Sequence, residues 1–298
     1  MALKGKFEQS HIVTKLILWL MCMFLLLIPV VIALTQFSQP LSVDALKWVQ
    51  LLQTMALFLL PPLAMAYLWS KRPLQWLQIR STSGHNIGYA ILLMLVAIPA
   101  INLLSYINQQ LSLPAFLRPL EIWMQQQEEN ALLLTEQFLK VSTWSGLIIN
   151  ILLMALLPAL SEELTFRGVL QRLFTSQHQS SVPHLAIWCS AILFSAIHLQ
   201  FYGFLPRMLM GALFGYMLVW TGSLWIPIVM HFTNNAMAVV MYFFAHRAGW
   251  NMDKIDAIGT NDTLWLGVVS LLITILGIYA FRRSTTMSNA SSRMSSGN

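Results

Sequence analysis

The chain has 298 residues and a formal net charge of +6; 57% of its residues are apolar and only 9% are charged. A water-soluble fold cannot bury that much apolar surface, so the composition excludes a soluble enzyme or nucleic-acid-binding module and points to an all-α polytopic membrane protein. The basic residues lie in short segments between apolar runs, where they mark topology rather than a nucleic-acid partner.

Apolar runs of spanning length predict about eight transmembrane helices, near residues 15–36, 47–69, 86–108, 146–171, 183–200, 206–221, 224–245 and 263–281. Lys4, Lys6 and Lys15 precede the first run, and no small-residue cleavage site follows its apolar centre. It is therefore expected to be a retained anchor with a cytoplasmic amino terminus. Eight crossings from that start bring both termini to the cytoplasmic side, together with Lys71, Arg72, Arg80, Arg172, Arg282, Arg283 and Arg293. Asp44, Glu121, Glu128, Glu129, Glu136, Asp253, Asp256 and Asp262 gather on the other side. Cys22 and Cys189 sit in separate apolar runs and are expected to pack rather than pair.

The longest connection, "LSLPAFLRPLEIWMQQQEENALLLTEQFLKVSTWSG" (111–146), mixes apolar and polar residues at near-helical spacing. It predicts an amphipathic helix on the membrane surface, with a lid over a substrate entrance as the alternative. No internal repeat is visible, and the Ser-rich stretch 284–298 predicts a disordered tail. Residues 1–298 thus read as a single membrane domain.

The fourth run contains "LPALSEELTFRGVLQRLF" (157–174), which places Glu162, Glu163 and Arg167 where the bilayer is apolar. Each such charge costs about 2.5–3.5 kcal/mol near the bilayer centre, so three within six residues require compensation or use. Glu163 and Arg167 are four apart with the acid nearer the amino terminus, the favourable order for a helical ion pair. Glu162 lies about 100° around the helix and is less well placed for Arg167, so its partners must come from other helices.

Candidates are "FSAIH" (194–198) and "HFTNN" (231–235), which hold the two of seven histidines predicted well inside a span. His231 and Asn235 share a helical face, as do Phe194 and His198. Counting at about 1.5 Å per residue puts Glu162 roughly 15 Å, His198 roughly 21 Å and His231 roughly 10 Å from the cytoplasmic edge, so all three can meet in one layer. His85, His178, His184 and His246 fall at span ends or in loops. A carboxylate in a low-dielectric cavity suits a general base, while imidazoles and an amide can orient water or donate to a developing oxyanion. That combination describes amide hydrolysis.

"EELTFR" (162–167), "FSAIH" (194–198) and "HFTNN" (231–235) match, in order and spacing, the motifs EExxxR, FxxxH and HxxxN. On these residues the chain resembles the CAAX prenyl endopeptidase and bacteriocin-processing family of intramembrane proteases. The flanking "FRGVLQRLF" and "GALFGYMLVWTGSLWIPIVMH" are similar to the same core, and the resemblance covers about 145–240. It implies Glu162 and His198 as the water-activating pair, His231 with Asn235 as the oxyanion donors, and Glu163 with Arg167 as support.

The resemblance leaves metal open. Zinc on Glu162, His198 and His231 is the alternative, but HExxH is absent and an Asn in the third motif suits an oxyanion donor better than a ligand. No required cofactor is the expectation. The implied substrate is a membrane-associated or lipid-modified peptide or protein, and the expected setting is a bacterial inner membrane, without nucleic acid. An ion-coupled transporter or a non-catalytic bacteriocin immunity or scaffold protein are the competing readings; a transporter is expected to show repeated halves, which this sequence lacks.

Overall fold

The computed structural model describes residues 3–36, 41–175, 182–251, 255 and 257–295, with side chains as far as Thr285. All regular structure among them is helical. In chain order, α1 is Ile12–Thr35, α2 Val43–Trp69, α3 Gly84–Gln109, α4 Arg118–Leu139 and α5 Trp144–Phe174. They are followed by α6 His184–Ala196, α7 Phe204–Thr221, α8 Trp225–Ala248 and α9 Leu264–Ser295. Seven helices are long and apolar enough to cross a membrane, and α6 is a shorter apolar one. The chain is a polytopic integral membrane protein. His178, Asp253 and Asp256, all assigned to loops from the sequence, lie outside the described residues, as does the side chain of Arg293.

Local chemistry sets the helix ends. Ser42, Ser83 and Thr143 cap α2, α3 and α5 by accepting from Ala45 N, Asn86 N and Gly146 N. Gly222 and Gly249 end α7 and α8 in the left-handed conformation, at φ 66° and 67°. α4 is the amphipathic helix expected between spans three and four. α9 carries its helical backbone to Ser295, through most of the stretch read above as a polar tail.

α6 corrects one boundary. Its 13 residues rise about 20 Å, short of a hydrocarbon layer of about 30 Å. Residues 197–200 are therefore not helical, and His198 lies in the turn beyond the helix rather than within a span. The physical reasons are local: Leu199 adopts φ 54°, and the His198 ring takes the Phe194 carbonyl at 2.7 Å.

Interruptions in the helices tie them together. Pro62 has no N–H, which frees the Phe58 carbonyl four residues back, and Thr165 Oγ1 donates to that carbonyl at 2.9 Å, fastening α2 to α5. Beside Pro99, Ser270 Oγ donates to Val96 O at 2.5 Å and accepts from Ala100 N at 3.1 Å, so a hydroxyl of α9 is inserted into the backbone ladder of α3. α5 itself widens into π-helical turns at Ile151–Leu156 and Leu164–Gln171, on either side of Leu157–Glu163.

α6 packs on α7, α9 on α3, and α8 bridges α3 and α5. The outer faces of α1 and α9 expose large apolar side chains such as Phe24 and Leu276, a surface that suits lipid. In the middle, "GALFG" lets α7 approach α5 and α6. Arg167 and Gln171 of α5 reach the carbonyls of Gly211 and Gly215 at 2.9 and 3.3 Å. A Cβ on Gly215 would lie 2.6 Å from Gln171 Oε1 and 2.9 Å from Ile187 Cγ2, whereas one on Gly88 meets nothing within 4 Å. Gly215→Ala is therefore expected to destabilise the protein by about 1–3 kcal/mol, with Gly88→Ala neutral or slightly stabilising, as read from unfolding transitions in detergent.

Candidate active site

The two carboxylates stand at the end of the α-helical segment of α5, immediately before its second π turn. Glu163 is fully buried, and its Oε1 accepts from Arg167 Nη1 at 2.8 Å and faces His231 Nδ1 at 2.9 Å. The i,i+4 ion pair read from the sequence is thus formed, and His231 joins it from α8. Arg167 also donates through Nη2 to Gly211 O. Its guanidinium carbon lies 4.6 Å from the centroid of Phe194 and 5.4 Å from that of Phe214, so aromatic faces supply part of the solvation that burial removes.

Glu162 occupies a different environment. Its Oε2 is 3.9 Å from His231 Nε2, and 16% of its side chain remains accessible. His231 therefore spans the two carboxylates, one nitrogen toward each. Phe214 stacks on this imidazole at 5.6 Å and Phe194 meets it edge-on at 5.9 Å, which fixes the ring plane. Because a carboxylate engaged with Arg167 is an acceptor, Nδ1 of His231 carries hydrogen, and Nε2 is the atom presented to Glu162.

His198 is oriented by the same logic. Its Nδ1 faces the Phe194 carbonyl, an obligate acceptor, so Nδ1–H donates and Nε2 is left as the free lone pair. The ring lies edge-on to Phe194 at 5.2 Å, which makes Phe194 the shared wall of His198, His231 and Arg167. Asn235 is one turn along α8 from His231, and its Oδ1 accepts from Asn234 Nδ2 at 3.1 Å, leaving its own Nδ2 to donate elsewhere. Glu162, Glu163 and Arg167 of α5, Phe194 and His198 at the end of α6, and His231 of α8 are thus linked beside α7, whereas Asn235 contacts its neighbour Asn234.

Arg207 was not singled out from the sequence. It stands in the first turn of α7, donates to the backbone oxygens of Gly203 and Gln200 at 3.0 Å, and also binds the Gln200 side chain. From there its charge acts on Glu162, His198 and Glu128. An arginine within a predicted apolar span was the available signal. α4 closes over this end of the site: Gln125 donates to Tyr202 Oη at 2.7 Å, and Glu128 accepts from Tyr202 N at 3.2 Å. A cavity of about 620 Å³ runs between α3, α4 and α8, bounded by Thr135, Glu136 and Asn234 among apolar side chains.

Among the described residues no three of His, Cys, Asp and Glu are gathered as metal ligands. His184 is turned away to Tyr216 Oη at 2.6 Å.

Residues 144–237 match a protein family described as type II CAAX prenyl endopeptidase Rce1-like. The resemblance read from the three motifs is borne out over that segment. Over 101 residues, 33% of this chain, the sequence is 31% identical to the uncharacterized protein YpbD of Bacillus subtilis (strain 168). The chain spans about half the length of that relative, 48% of it. No solved structure matches the chain.

Proposed function

We propose, from the match of residues 144–237 to the type II CAAX prenyl endopeptidases, that the chain is an intramembrane endopeptidase. In this reading it hydrolyses a peptide bond in a membrane-associated or lipid-modified substrate. The observation that carries the reading is the unequal state of two adjacent carboxylates: Glu163 is neutralised by Arg167, whereas Glu162 keeps access and has an imidazole nitrogen at 3.9 Å. Adjacent acids with different surroundings separate a structural role from a proton-accepting one.

In the proposed reaction Glu162 takes a proton from water as the water oxygen attacks the scissile carbonyl carbon, and Nε2 of His198 accepts the second hydrogen bond from that water. As the carbonyl π bond opens, its oxygen becomes an anion, and Asn235 Nδ2–H donates to it together with Nε2–H of His231, whose ring carries hydrogen on both nitrogens in this step. Glu163 holds His231 through Nδ1 and sets the direction of Nε2. When the C–N bond breaks, Glu162 returns its proton to the leaving amine. The reaction uses water as its only co-substrate, and no step requires a metal.

The 620 Å³ cavity and the position of α4 support entry of an extended, partly apolar chain past Asn234, with α4 as its cover. The positive-inside distribution supports a bacterial cytoplasmic membrane with both termini inside. The protein purified in detergent is expected to cleave a membrane peptide, to contain well under one equivalent of metal by elemental analysis, and to stay active after exhaustive chelation. Stoichiometric zinc whose removal stops cleavage and whose return restores it would replace this mechanism with a metalloprotease. Comparative proteomics of membrane peptides from cells with and without the active protein identifies the substrate.

A further inference from the structure

At the opposite end of α5 from its outer start, a second cavity of about 730 Å³ opens where the start of α1, the Trp76–Arg80 segment, the last turn of α5 and the end of α7 meet. Lys15, Arg80 and Arg172 line it, and among the described residues no carboxylate does. Lys15 is only 9% exposed, with Nζ donating to the Glu8 backbone oxygen at 2.9 Å, and Arg172 lies over Trp76 at 4.9 Å. Glu8 is the acid that acts on Lys15; Arg172 repels both Lys15 and Arg80. None of the three cations has a carboxylate within ion-pair distance among the described residues.

The floor of the cavity is polar. Gln171, 3% exposed, lines it with Oε1 buried and without a hydrogen-bond partner, and Arg167, 1% exposed, does the same with Nε. Both atoms are sealed from solvent, so they mark a packed polar floor beneath the cations rather than contact points for a ligand. The first-turn N–H groups of α6, which starts beside the lining residue Pro183, have no side-chain cap.

We infer that this cavity binds the phosphate headgroup of an anionic phospholipid of the leaflet in which α1 begins. Phosphate oxygens meet Lys15, Arg80 and Arg172. A membrane lipid fits better than a soluble ester because the cavity lies at the end of spanning helices, where basic pockets between helices meet headgroups. A choline headgroup would add its own cation to a lining that already holds Lys15, Arg80 and Arg172 without a carboxylate among the described residues. Arg167 faces both this cavity and Glu163, so occupancy bears on the carboxylate pair, although the binding site does not depend on the protease reading.

The test measures binding of short-chain phosphatidylglycerol to the full-length protein in nonionic detergent, against short-chain phosphatidylcholine and glycerol 3-phosphate. Saturable one-to-one binding of phosphatidylglycerol is expected, at least about tenfold tighter than phosphatidylcholine. Arg80→Gln, a change at an exposed side chain, is expected to weaken it about fivefold, and Arg80→Gln with Arg172→Gln roughly twenty-five-fold. Equal affinity for the two lipids, or unchanged phosphatidylglycerol binding by folded Arg80→Gln protein, would overturn the site. Glycerol 3-phosphate binding as tightly as the lipid would keep the phosphate chemistry and overturn the lipid as its source.

Discussion

Glu162→Gln is expected to lower the turnover of a membrane peptide by about 10²–10⁴ while leaving the unfolding transition in detergent unchanged. The change removes a proton acceptor and keeps the shape. Stability is spared because Glu162 makes no short contact that the amide would lose; the ring nitrogen facing it, His231 Nε2, is 3.9 Å away. The rival base is Glu163, whose Oε2 is buried without a partner. That atom is sealed from solvent and belongs to a carboxylate already committed to Arg167 and His231, so it is poorly placed to meet water. Full turnover by folded Glu162→Gln protein would transfer the role to Glu163 or remove the carboxylates from the chemistry altogether.

Much of this arrangement is legible in the sequence because it follows from helical periodicity and from the cost of charge in lipid. Glu163 and Arg167 are four apart and do pair; His231 and Asn235 do share one face of α8. What periodicity missed was set by tertiary structure. His198 belongs to the third dimension: α6 stops at Ala196 because Leu199 turns left-handed and the His198 ring itself satisfies Phe194 O, neither of which a run of apolar letters reveals. The π turn over Leu164–Gln171 is equally hidden, since it depends on partners outside α5 such as Ser190, which donates to Phe166 O at 2.9 Å. Arg207 was visible as a letter, but its reach toward Glu162 and His198 appears only once the turn at 197–203 brings α7 back against α6.

Arg167→Ala carries the largest expected loss of stability, about 3–5 kcal/mol, because it strands a fully buried carboxylate. Glu163 would keep His231 Nδ1 but lose its cation, and the guanidinium would also vanish from Gly211 O and from the faces of Phe194 and Phe214. A purely structural ion pair has a signature that separates it from a catalytic one. Replacing both members, Glu163→Leu with Arg167→Met, removes the buried charges together and is expected to recover much of the lost stability. Activity is not expected to return with it, because His231 then has no carboxylate at Nδ1 to hold its ring and its second proton and aim Nε2–H at the reacting oxygen. The measurement is therefore paired: unfolding in detergent and turnover for each single variant and for the double. If the double variant regains both stability and turnover, Glu163 and Arg167 only hold the helices together and the positioning of His231 must come from the aromatic walls. If it regains stability alone, the buried pair orients His231, and the adjacent Glu162 is the carboxylate left free to move the proton.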